Sequence, residues 1–307
     1  MSFELTILGS SSALPTSNRF PAAHLLKVNE RFFLIDCGEG TQIQLRRFGF
    51  NPARIHHVFI SHLHGDHVFG LFGLISSMGL TGRKVTLHIY GPEMLQEMLE
   101  KHFYYFARPP FPLKIHVCEG TEIVFENKQL EVRSIPLKHR TSTFGYVFRE
   151  KIRELNVRKE KIREHGLGVA DIVKIKRGED QIAADGKVIP NAELTLPPYK
   201  RRSYAYISDT VYDPAIAEQI MGVDLLFHEA TFSHKDEKLA AETLHSTSVQ
   251  AAEVARTAGA EKLIIGHFST RYKDAGHLVE EAQAVFPETY MAEDGASYSL
   301  PLQREIR

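Results

Sequence analysis

The chain has 307 residues, a formal net charge of −1 at pH 7, and a composition that is 43% hydrophobic and 24% charged. This length is enough for one large domain or two small ones with a sizeable core. The near-neutral charge argues against an indiscriminate nucleic-acid binder, which usually carries a basic excess. We find no signal-peptide pattern and no apolar run near the roughly 18 residues of a membrane span, and Cys37 and Cys118 cannot build a disulfide framework. We therefore expect a cytoplasmic protein.

Apolar patterns along the chain predict strands that alternate with helices. In the first half, strands are predicted at FELTILG, AAHLLKV, RFFLIDCG, HHVFISH and VTLHIYGP, and helices at GTQIQLRRFGF, VFGLFGLISSMGL and EMLQEMLEKHF. Three more strands follow at KIHVCEG, TEIVFEN and QLEVRSIPL. The second half has predicted strands at SYAYISDT, VDLLFHEA and KLIIGHF, separated by helices at DPAIAEQI and SVQAAEVARTAG. This order predicts a single α/β domain over residues 1–307, with two packed sheets and helices outside them in four layers.

Residues 149–198 interrupt this pattern and are predicted to form an inserted arm. The segment is polar, charged and weakly periodic, and Gly-Leu-Gly and Pro-Pro sequences punctuate it. Lys and Arg outnumber Glu and Asp between Arg149 and Arg177, and a further basic run follows at 200–202. The basic cluster is either a solvated helix and loop face or a local surface for an anionic partner.

The stretch FISHLHGDHVFG contains three histidines and one aspartate close together. His62 and His64 alternate along the chain, so their side chains point the same way from an extended strand end. Asp66 and His67 follow a glycine turn that folds the chain back. Imidazole and carboxylate together suit Zn²⁺, Mn²⁺ and similar borderline ions. Four ligands this close in sequence cannot all chelate one ion comfortably, so we expect a pair of metal ions with further ligands elsewhere.

Those further ligands are expected where apolar strands end, the usual position of ligands in open α/β sheets. His139, Asp209 and His267 each follow such a strand. Each is unremarkable alone, because a lone His is commonly a hydrogen-bonded structural residue and Asp in Ser-Asp-Thr is commonly a turn or helix cap. Their shared position after apolar strands makes them candidates together.

Five motifs in chain order are DCGEG with Asp36, HLHGDH, His139, SDT with Asp209, and GHFSTRY with His267. Together they resemble the metal-binding motifs of the metallo-β-lactamase superfamily, over essentially the whole chain. The resemblance implies the αβ/βα sandwich and a dinuclear site. It implies one metal bound by His62, His64 and His139, a second bound by Asp66, His67 and His267, and Asp209 as the bridge. Asp36 is implied to lie behind the ligands and orient them, although alone it is a plausible strand-terminal turn residue.

A second set of motifs narrows the resemblance. LGSSSALPTSNR, DCGEGTQIQLRR, FISHLHGDHVFGLFGLISS, FHEAT, HSTSVQAAEVA and HFSTRY are similar, in this order, to the ribonuclease Z family, the tRNA 3′-endonucleases. The resemblance implies an endoribonuclease with two Zn²⁺ per subunit, Mn²⁺ being the alternative metal. Its implied substrate is precursor tRNA, whose 3′ trailer is removed by hydrolysis of a phosphodiester after the discriminator nucleotide, leaving a 3′-hydroxyl.

The same resemblance implies catalytic roles. Asp66 would take the proton of the attacking water as well as ligate metal. His245, oriented by Glu229, would give a proton to the leaving ribose oxygen. Taken alone, Glu229 is a polar residue at a strand end, and His245 precedes a predicted helix cap in which Thr247 and Gln250 form a capping box.

Substrate contacts are implied at two places. The first is the phosphate contact of Arg271, whose planar guanidinium suits bidentate binding, with a hydrogen bond from Ser269. The second is the loop of Pro15, Thr16 and Arg19, which in the family senses the nucleotides after the discriminator. Here Phe20 stands where Asn is usual, and Ser17 carries no lysine-type charge. The aromatic run HFYYFARPPFP is either a stacking surface or part of a core or dimer contact.

The arm departs from the family pattern. In the short ribonuclease Z form, an extruded arm with a Gly-Pro-rich motif grips the tRNA elbow, but the matching place here reads EHGLGVADIVKIKRGED. Lys174, Lys176 and Arg177 are still candidates for contacts to backbone phosphates. Because one short-form active site is served by the partner subunit's arm, the resemblance also implies a homodimer.

Two other classes of function stay open at the level of sequence. A small-molecule hydrolase of the same fold, such as a phosphodiesterase or an arylsulfatase-like enzyme, is supported by the near-neutral charge and the altered arm. A metal-binding scaffold or RNA chaperone without turnover is the third class. Asp66, Glu229 and His245 argue against it, because metal binding alone does not require the latter two residues.

Overall fold

Two seven-stranded sheets form the middle of the structure, a computed structural model that describes residues 1–183 and 185–305. Strands are numbered in chain order. The first sheet contains β1 (Phe3–Gly9), β2 (Ala23–Val28), β3 (Arg31–Ile35), β4 (Ile55–Phe59), β5 (Leu87–Gly91), β6 (Leu113–Val117) and β16 (Ser297–Ser299). The second contains β7 (Glu122–Glu126), β8 (Leu130–Leu137), β9 (Thr143–Glu150), β12 (Ser203–Ile207), β13 (Leu225–Glu229), β14 (Lys262–Gly266) and β15 (Thr289–Met291). The spatial orders are β16-β1-β2-β3-β4-β5-β6 and β15-β14-β13-β12-β9-β8-β7.

Helices cover the outer face of each sheet. The first sheet is covered by α1 (Thr41–Arg47), α2 (Gly65–Leu80) and α3 (Met94–Tyr105). The second is covered by α7 (Ile216–Gln219), α9 (Ser248–Ala258) and α10 (Gly276–Gln283), with α8 (Glu237–Thr243) beside them. Helix α2 buries Val68, Leu71, Ile75 and Met78, whose spacing places them on one helical face. Among the described residues, no helix has both the length and the apolar composition to cross a membrane.

Three apolar layers hold these elements together. The layer between the sheets is aromatic and includes Phe59, Phe148 and Tyr206. A second layer lies between the first sheet and its helices, and a third between the second sheet and its helices. Helix, sheet, sheet and helix therefore stack in order, and the predicted four-layer αβ/βα sandwich is confirmed.

The parallel strands of each sheet determine where polar residues collect. Strands β3 to β6 run parallel in the first sheet, and β12 to β15 run parallel in the second. Asp36 follows β3, Asp209 follows β12, and His267 follows β14. Because the carboxyl ends of parallel strands meet at one edge of a sheet, the two sheets bring these side chains to a common edge.

The inserted segment leaves the second sheet after β9 and returns at β12. It contains α4 (Lys159–Glu164), α5 (Val169–Lys176), the hairpin of β10 (Gln181–Ile182) and β11 (Val188–Ile189), and α6 (Asn191–Leu194). Residues 149 and 150 still pair within the second sheet, so the segment begins two residues later than the sequence pattern indicates. Contrary to its polar composition, it has a small apolar cluster of Leu167, Ile175, Ile189 and Leu194.

We predict that Ile175→Ala loosens the arm without disturbing the sheets. Ile175 is fully buried in the arm cluster, and removing a buried Ile side chain usually costs about 2–5 kcal/mol. Hydrogen–deuterium exchange is expected to rise in residues 155–196 and to stay unchanged in β1–β9. Val173→Ala, on the exposed face of the same helix, is the matched control. Faster exchange throughout the two sheets would contradict the assignment of a separate arm cluster.

Candidate functional site

The HLHGDH motif lies where β4 ends and α2 begins. His62 is fully buried after β4, and Asp66 and His67 lie in the first turn of α2. Helix α2 approaches the chain after β3 closely: a Cβ on Gly70 would lie 2.0 Å from the carbonyl oxygen of Gly38. Only a glycine at position 70 permits this approach, which brings the first turn of α2 against the residues after β3.

One group of ligand atoms consists of His62, His64, His139 and Asp209, whose ligand atoms all lie within 4.8 Å of one another. His64 Nδ1 is 3.0 Å from His62 Nε2 and 3.4 Å from His139 Nε2. Asp209 Oδ2 lies 3.6 Å from His62 Nε2 and 3.8 Å from His139 Nε2. Residues from two sheets thus converge on one point.

A second group consists of Asp66, His67 and His267. Asp66 Oδ2 lies 3.4 Å from Nε2 of both histidines, and the two Nε2 atoms are 3.3 Å apart. Asp209 Oδ1 lies 3.5 Å from His67 Nε2 and 3.3 Å from His267 Nε2. The two oxygens of Asp209 therefore face the two groups separately, which is the arrangement that a bridging carboxylate needs.

Hydrogen bonds turn four of the imidazoles toward the centre. Each donates from Nδ1 to an oxygen behind it and leaves the lone pair of Nε2 directed at the candidate site. The pairs are His62 with Ser61 Oγ at 3.0 Å, His67 with Asp36 Oδ2 at 2.7 Å, His139 with Leu244 O at 2.8 Å, and His267 with Thr231 Oγ1 at 2.9 Å. Oriented imidazoles and two carboxylates fit Zn²⁺ or a similar borderline ion.

Asp36 is fully buried and holds this arrangement from behind. Its Oδ1 accepts a hydrogen bond from the backbone N–H of Ser61 at 2.7 Å. Its Oδ2 accepts from Ser61 Oγ at 2.8 Å and from Tyr206 OH at 2.7 Å, in addition to His67. Because Tyr206 belongs to the second sheet, this one carboxylate fixes His67 relative to both sheets.

Charge is concentrated at the site. Burial by itself raises the pKa of Asp66, but the imidazoles of His67 and His267 hold it well below its usual range. Burial likewise raises the pKa of Asp209, and the surrounding histidines lower it below the usual range. Both carboxylates are therefore ionised at neutral pH, as ligands for a divalent cation must be.

His245 and Glu229 form a pair beside the first ligand group. His245 Nδ1 donates to Glu229 Oε1 at 2.9 Å, and Glu229 is fully buried. Glu229 also accepts from the backbone N–H groups of Thr210, Thr231 and Ser246, so its position is fixed. Burial lowers the pKa of His245, but the charge and hydrogen bond of Glu229 outweigh it and raise the pKa to about 9.

Backbone strain is also concentrated here. Among the described non-glycine residues, five have a positive φ, and four of these surround the site: Ala13 (54°), Asp36 (57°), Leu244 (59°) and His267 (61°). Such conformations cost about 1–3 kcal/mol each and persist only where the surroundings determine them strongly.

An open cleft of about 580 Å³ gives access to these groups, and Asp66, Asp209 and His245 line it. Pro15 and Ser269, two of the predicted substrate contacts, line the same cleft. The remaining predicted contacts lie farther out. Thr16 and Arg19 line an adjacent pocket, Arg271 stacks over the Phe232 ring at 5.0 Å, and Lys174, Lys176 and Arg177 lie on the arm.

The sequence reasoning missed three residues that the site depends on. Thr231 Oγ1 accepts from His267 and donates to Glu229 Oε2 at 2.8 Å, so it links a candidate ligand to the His245–Glu229 pair. Ser61 and Tyr206 position Asp36. Thr231 lies within the FHEAT motif and Ser61 directly precedes His62, so their positions were a usable signal. Nothing in the local sequence distinguishes Tyr206 from other buried strand residues.

Comparisons with known proteins agree with this geometry. A family model described as a β-lactamase superfamily domain matches residues 172–268, and one described as anti-Pycsar protein Apyc1 matches residues 3–104. A ribonuclease Z of Bacteroides fragilis (strain YCH46) is 44% identical over 97% of this chain and 99% of its own length. One from Porphyromonas gingivalis (strain W83) is 45% identical over 95% of this chain and 97% of its own length.

Solved structures of known proteins have a similar fold. The crystal structure of the short form of human tRNase Z is 25% identical, with a TM-score of 0.69, and covers 97% of this chain and 99% of that chain. A metallo-β-lactamase fold protein from Bacillus subtilis, 19% identical with a TM-score of 0.70, shows the fold alone. Fold and site thus define a metallo-β-lactamase-fold protein. The chain belongs to the ribonuclease Z family of endoribonucleases, and the family predicted from the sequence motifs is confirmed.

We predict that Glu229→Gln lowers the pKa of His245 substantially from about 9, because the charge that opposes the effect of burial is removed. The imidazole would then be largely neutral at pH 8, where in the parent protein it is largely protonated. An NMR titration of the His245 ring signals measures this shift. Glu237→Gln, on the nearby helix α8, is the control. A pKa that stays near 9 in Glu229→Gln would contradict the pairing.

Proposed function

We propose that this protein is a metal-dependent endoribonuclease that removes the 3′ trailer of precursor tRNA. It hydrolyses the phosphodiester after the discriminator nucleotide and leaves a 3′-hydroxyl. The observation that carries the proposal is the 2.9 Å hydrogen bond between His245 and Glu229, beside residues that could hold metal ions. Metal binding alone does not need that pair, whereas departure of a ribose oxygen needs a proton donor.

In this proposal seven residues would hold two Zn²⁺ ions, or Mn²⁺ in their place. His62, His64 and His139 would hold one ion, Asp66, His67 and His267 would hold the other, and Asp209 would serve both. When bound, such ions would polarise a phosphoryl oxygen and lower the pKa of a nearby water. The chain's own contribution is to fix the ligands through the hydrogen bonds of Asp36 and Thr231.

Two residues handle protons. Asp66 accepts the proton of the attacking water with the oxygen that does not face His67 and His267. His245 is protonated at neutral pH because its pKa is raised to about 9, and it gives that proton to the leaving 3′-oxygen. Glu229 keeps the ring oriented and stabilises its charged form.

Substrate contacts follow from the lining of the cleft. Pro15 and Ser269 lie along it, and Thr16 and Arg19 are on the adjacent part of the same loop. Arg271 is partly exposed and lies over the ring of Phe232, which lines the cleft, so its guanidinium would reach a phosphate at the cleft margin by exchanging its weak ion pair with Asp236. Lys174, Lys176 and Arg177 on the arm would contact the tRNA backbone farther away and position it without reading sequence.

We also infer a cytoplasmic homodimer. Tyr104, Tyr105 and Phe106 are 82%, 79% and 62% exposed, so core packing of this aromatic run is wrong for these three residues. Together with Leu80, they leave apolar surface on the helices outside the first sheet, which a second copy would cover. Cys37 and Cys118 are free thiols, which suits a reducing compartment.

The direct test uses precursor tRNA with a 3′ trailer that lacks an encoded CCA. We expect the purified protein to cleave once, after the discriminator nucleotide, and to lose this activity in the presence of a chelator. The contrary result is absence of cleavage together with efficient, chelator-sensitive turnover of small phosphodiesters. It would favour the alternative of a small-molecule phosphodiesterase or arylsulfatase-like hydrolase, which the near-neutral charge and the unusual arm support.

His245→Ala is expected to lower turnover by about 10²–10⁴-fold, the usual contribution of a positioned acid, while the metal content stays near that of the parent. Steady-state cleavage and elemental analysis measure the two effects. His277→Ala, outside the described ligand groups, is the control. Loss of bound metal in the His245→Ala protein would refute the role of proton donor.

Lys174→Ala combined with Arg177→Ala is expected to weaken cleavage of precursor tRNA and to spare a small phosphodiester. Both side chains are exposed on the arm, and each phosphate contact that is lost also reduces the salt dependence of binding. Lys84→Ala, on the exposed turn before β5, is the matched control. If both substrates lose activity equally, the arm residues have a structural role instead.

A further inference from the structure

Residues 11–20, here called the cleft loop, form one wall of the cleft. Ser12, Ala13, Leu14 and Pro15 line it directly. The loop is closed by backbone hydrogen bonds from Ser11 to Phe20 at 3.0 Å and from Thr16 to Arg19 at 2.9 Å. Its tip is nevertheless exposed from residue 13 to residue 18, so its position depends on a few contacts at its base and on its inner side.

Asp294 holds both ends of the cleft loop. It lies between β15 and β16, where the chain passes from the second sheet back to the first. Its Oδ1 accepts a hydrogen bond from Ser10 Oγ at 2.8 Å, and its Oδ2 accepts one from the backbone N–H of Phe20 at 2.7 Å. Gln44 Nε2 donates to the same Oδ2 at 3.3 Å. One carboxylate thus joins the residue before the loop to the residue that ends it.

Ala13 connects the cleft loop to the candidate metal ligands. Its backbone N–H donates to Asp66 Oδ2 at 2.7 Å. That oxygen faces His67 and His267, and the hydrogen bonds and ion pairs described for the Asp66 carboxylate all use it. Ala13 reaches it with a φ of 54°, a left-handed conformation that a non-glycine residue adopts only when its surroundings impose it.

We propose that Asp294 is a positioning residue for catalysis, because it fixes the cleft loop so that the Ala13 amide orients the Asp66 carboxylate. The inference rests on the proposed hydrolytic function and adds a role that lies outside the ligand set. With Oδ2 held by the amide, the carboxylate cannot rotate, and Oδ1 stays directed at the attacking water. Without the Asp294 tether, the loop ends are held by backbone hydrogen bonds such as that from Ser11 to Phe20. With fewer contacts at its base, the loop moves more freely, the Ala13 conformation relaxes, and Asp66 can turn about its Cβ–Cγ bond.

The test compares Asp294→Ala and Asp294→Asn with Glu293→Gln, a control that removes an exposed charge from the same turn. The substrate is bis(p-nitrophenyl) phosphate, which is too small to depend on the tRNA contacts of the loop. For Asp294→Ala we expect kcat to fall about 10- to 100-fold, the effect of a small misplacement, with KM within about twofold and metal content unchanged. Asp294→Asn keeps one acceptor oxygen and is expected to lie between Asp294→Ala and the parent.

Two readouts do not depend on turnover. Hydrogen–deuterium exchange of the metal-free protein is expected to rise in residues 11–20 of Asp294→Ala and to be unchanged in Glu293→Gln. The visible absorption of the Co²⁺-substituted protein is expected to shift in Asp294→Ala, because a ligand oxygen loses its hydrogen bond. Unchanged exchange, an unchanged spectrum, a rise of KM alone or loss of metal would each overturn the proposal. If the parent protein hydrolyses neither precursor tRNA nor bis(p-nitrophenyl) phosphate, the proposed function fails. Hydrogen–deuterium exchange and the Co²⁺ spectrum still decide the role of Asp294 in that case.

Discussion

The buried carboxylate of Asp36 is the contact on which the rest of the site depends. It accepts hydrogen bonds from Ser61, which follows β4 of the first sheet, from Tyr206 in the second sheet, and from His67 at the start of α2. A fully buried carboxylate is stable only when its lone pairs are satisfied, so the two sheets and α2 must meet in one register. That register brings the residues that follow β4, β12 and β14 to within a few ångströms of one another.

Hydrogen bonds connect the candidate metal ligands to the candidate proton donor. Thr231 accepts from His267 and donates to Glu229, and Glu229 accepts from His245. The same short chain of hydrogen bonds therefore orients a candidate ligand and the candidate proton donor. Asp66 is held on the other side by the Ala13 amide, and Asp294 holds the loop that carries it. The acid and the base of the proposed reaction are each fixed by residues outside the candidate ligand set.

Much of this could be predicted from the sequence, for identifiable reasons. Apolar strands that end in His or Asp predict both the sandwich and the edge where His139, Asp209 and His267 collect. The His245–Glu229 pair followed from motif resemblance. The contacts of Tyr206 and Asp294 could not be predicted, because each depends on how two distant segments are registered across the sheets. The apolar cluster of the arm was missed because its few apolar residues are spread over short helices and a hairpin, and they follow no single helical or strand periodicity in the sequence.

The central claim is that Asp209 lies between two metal ions that the two ligand groups hold separately. Anomalous X-ray diffraction at the zinc absorption edge, on crystals grown with Zn²⁺, tests it directly. The account predicts two anomalous peaks, one among His62, His64 and His139 and one among Asp66, His67 and His267, with one oxygen of Asp209 at each. A single peak, or a second peak away from Asp209, would contradict it.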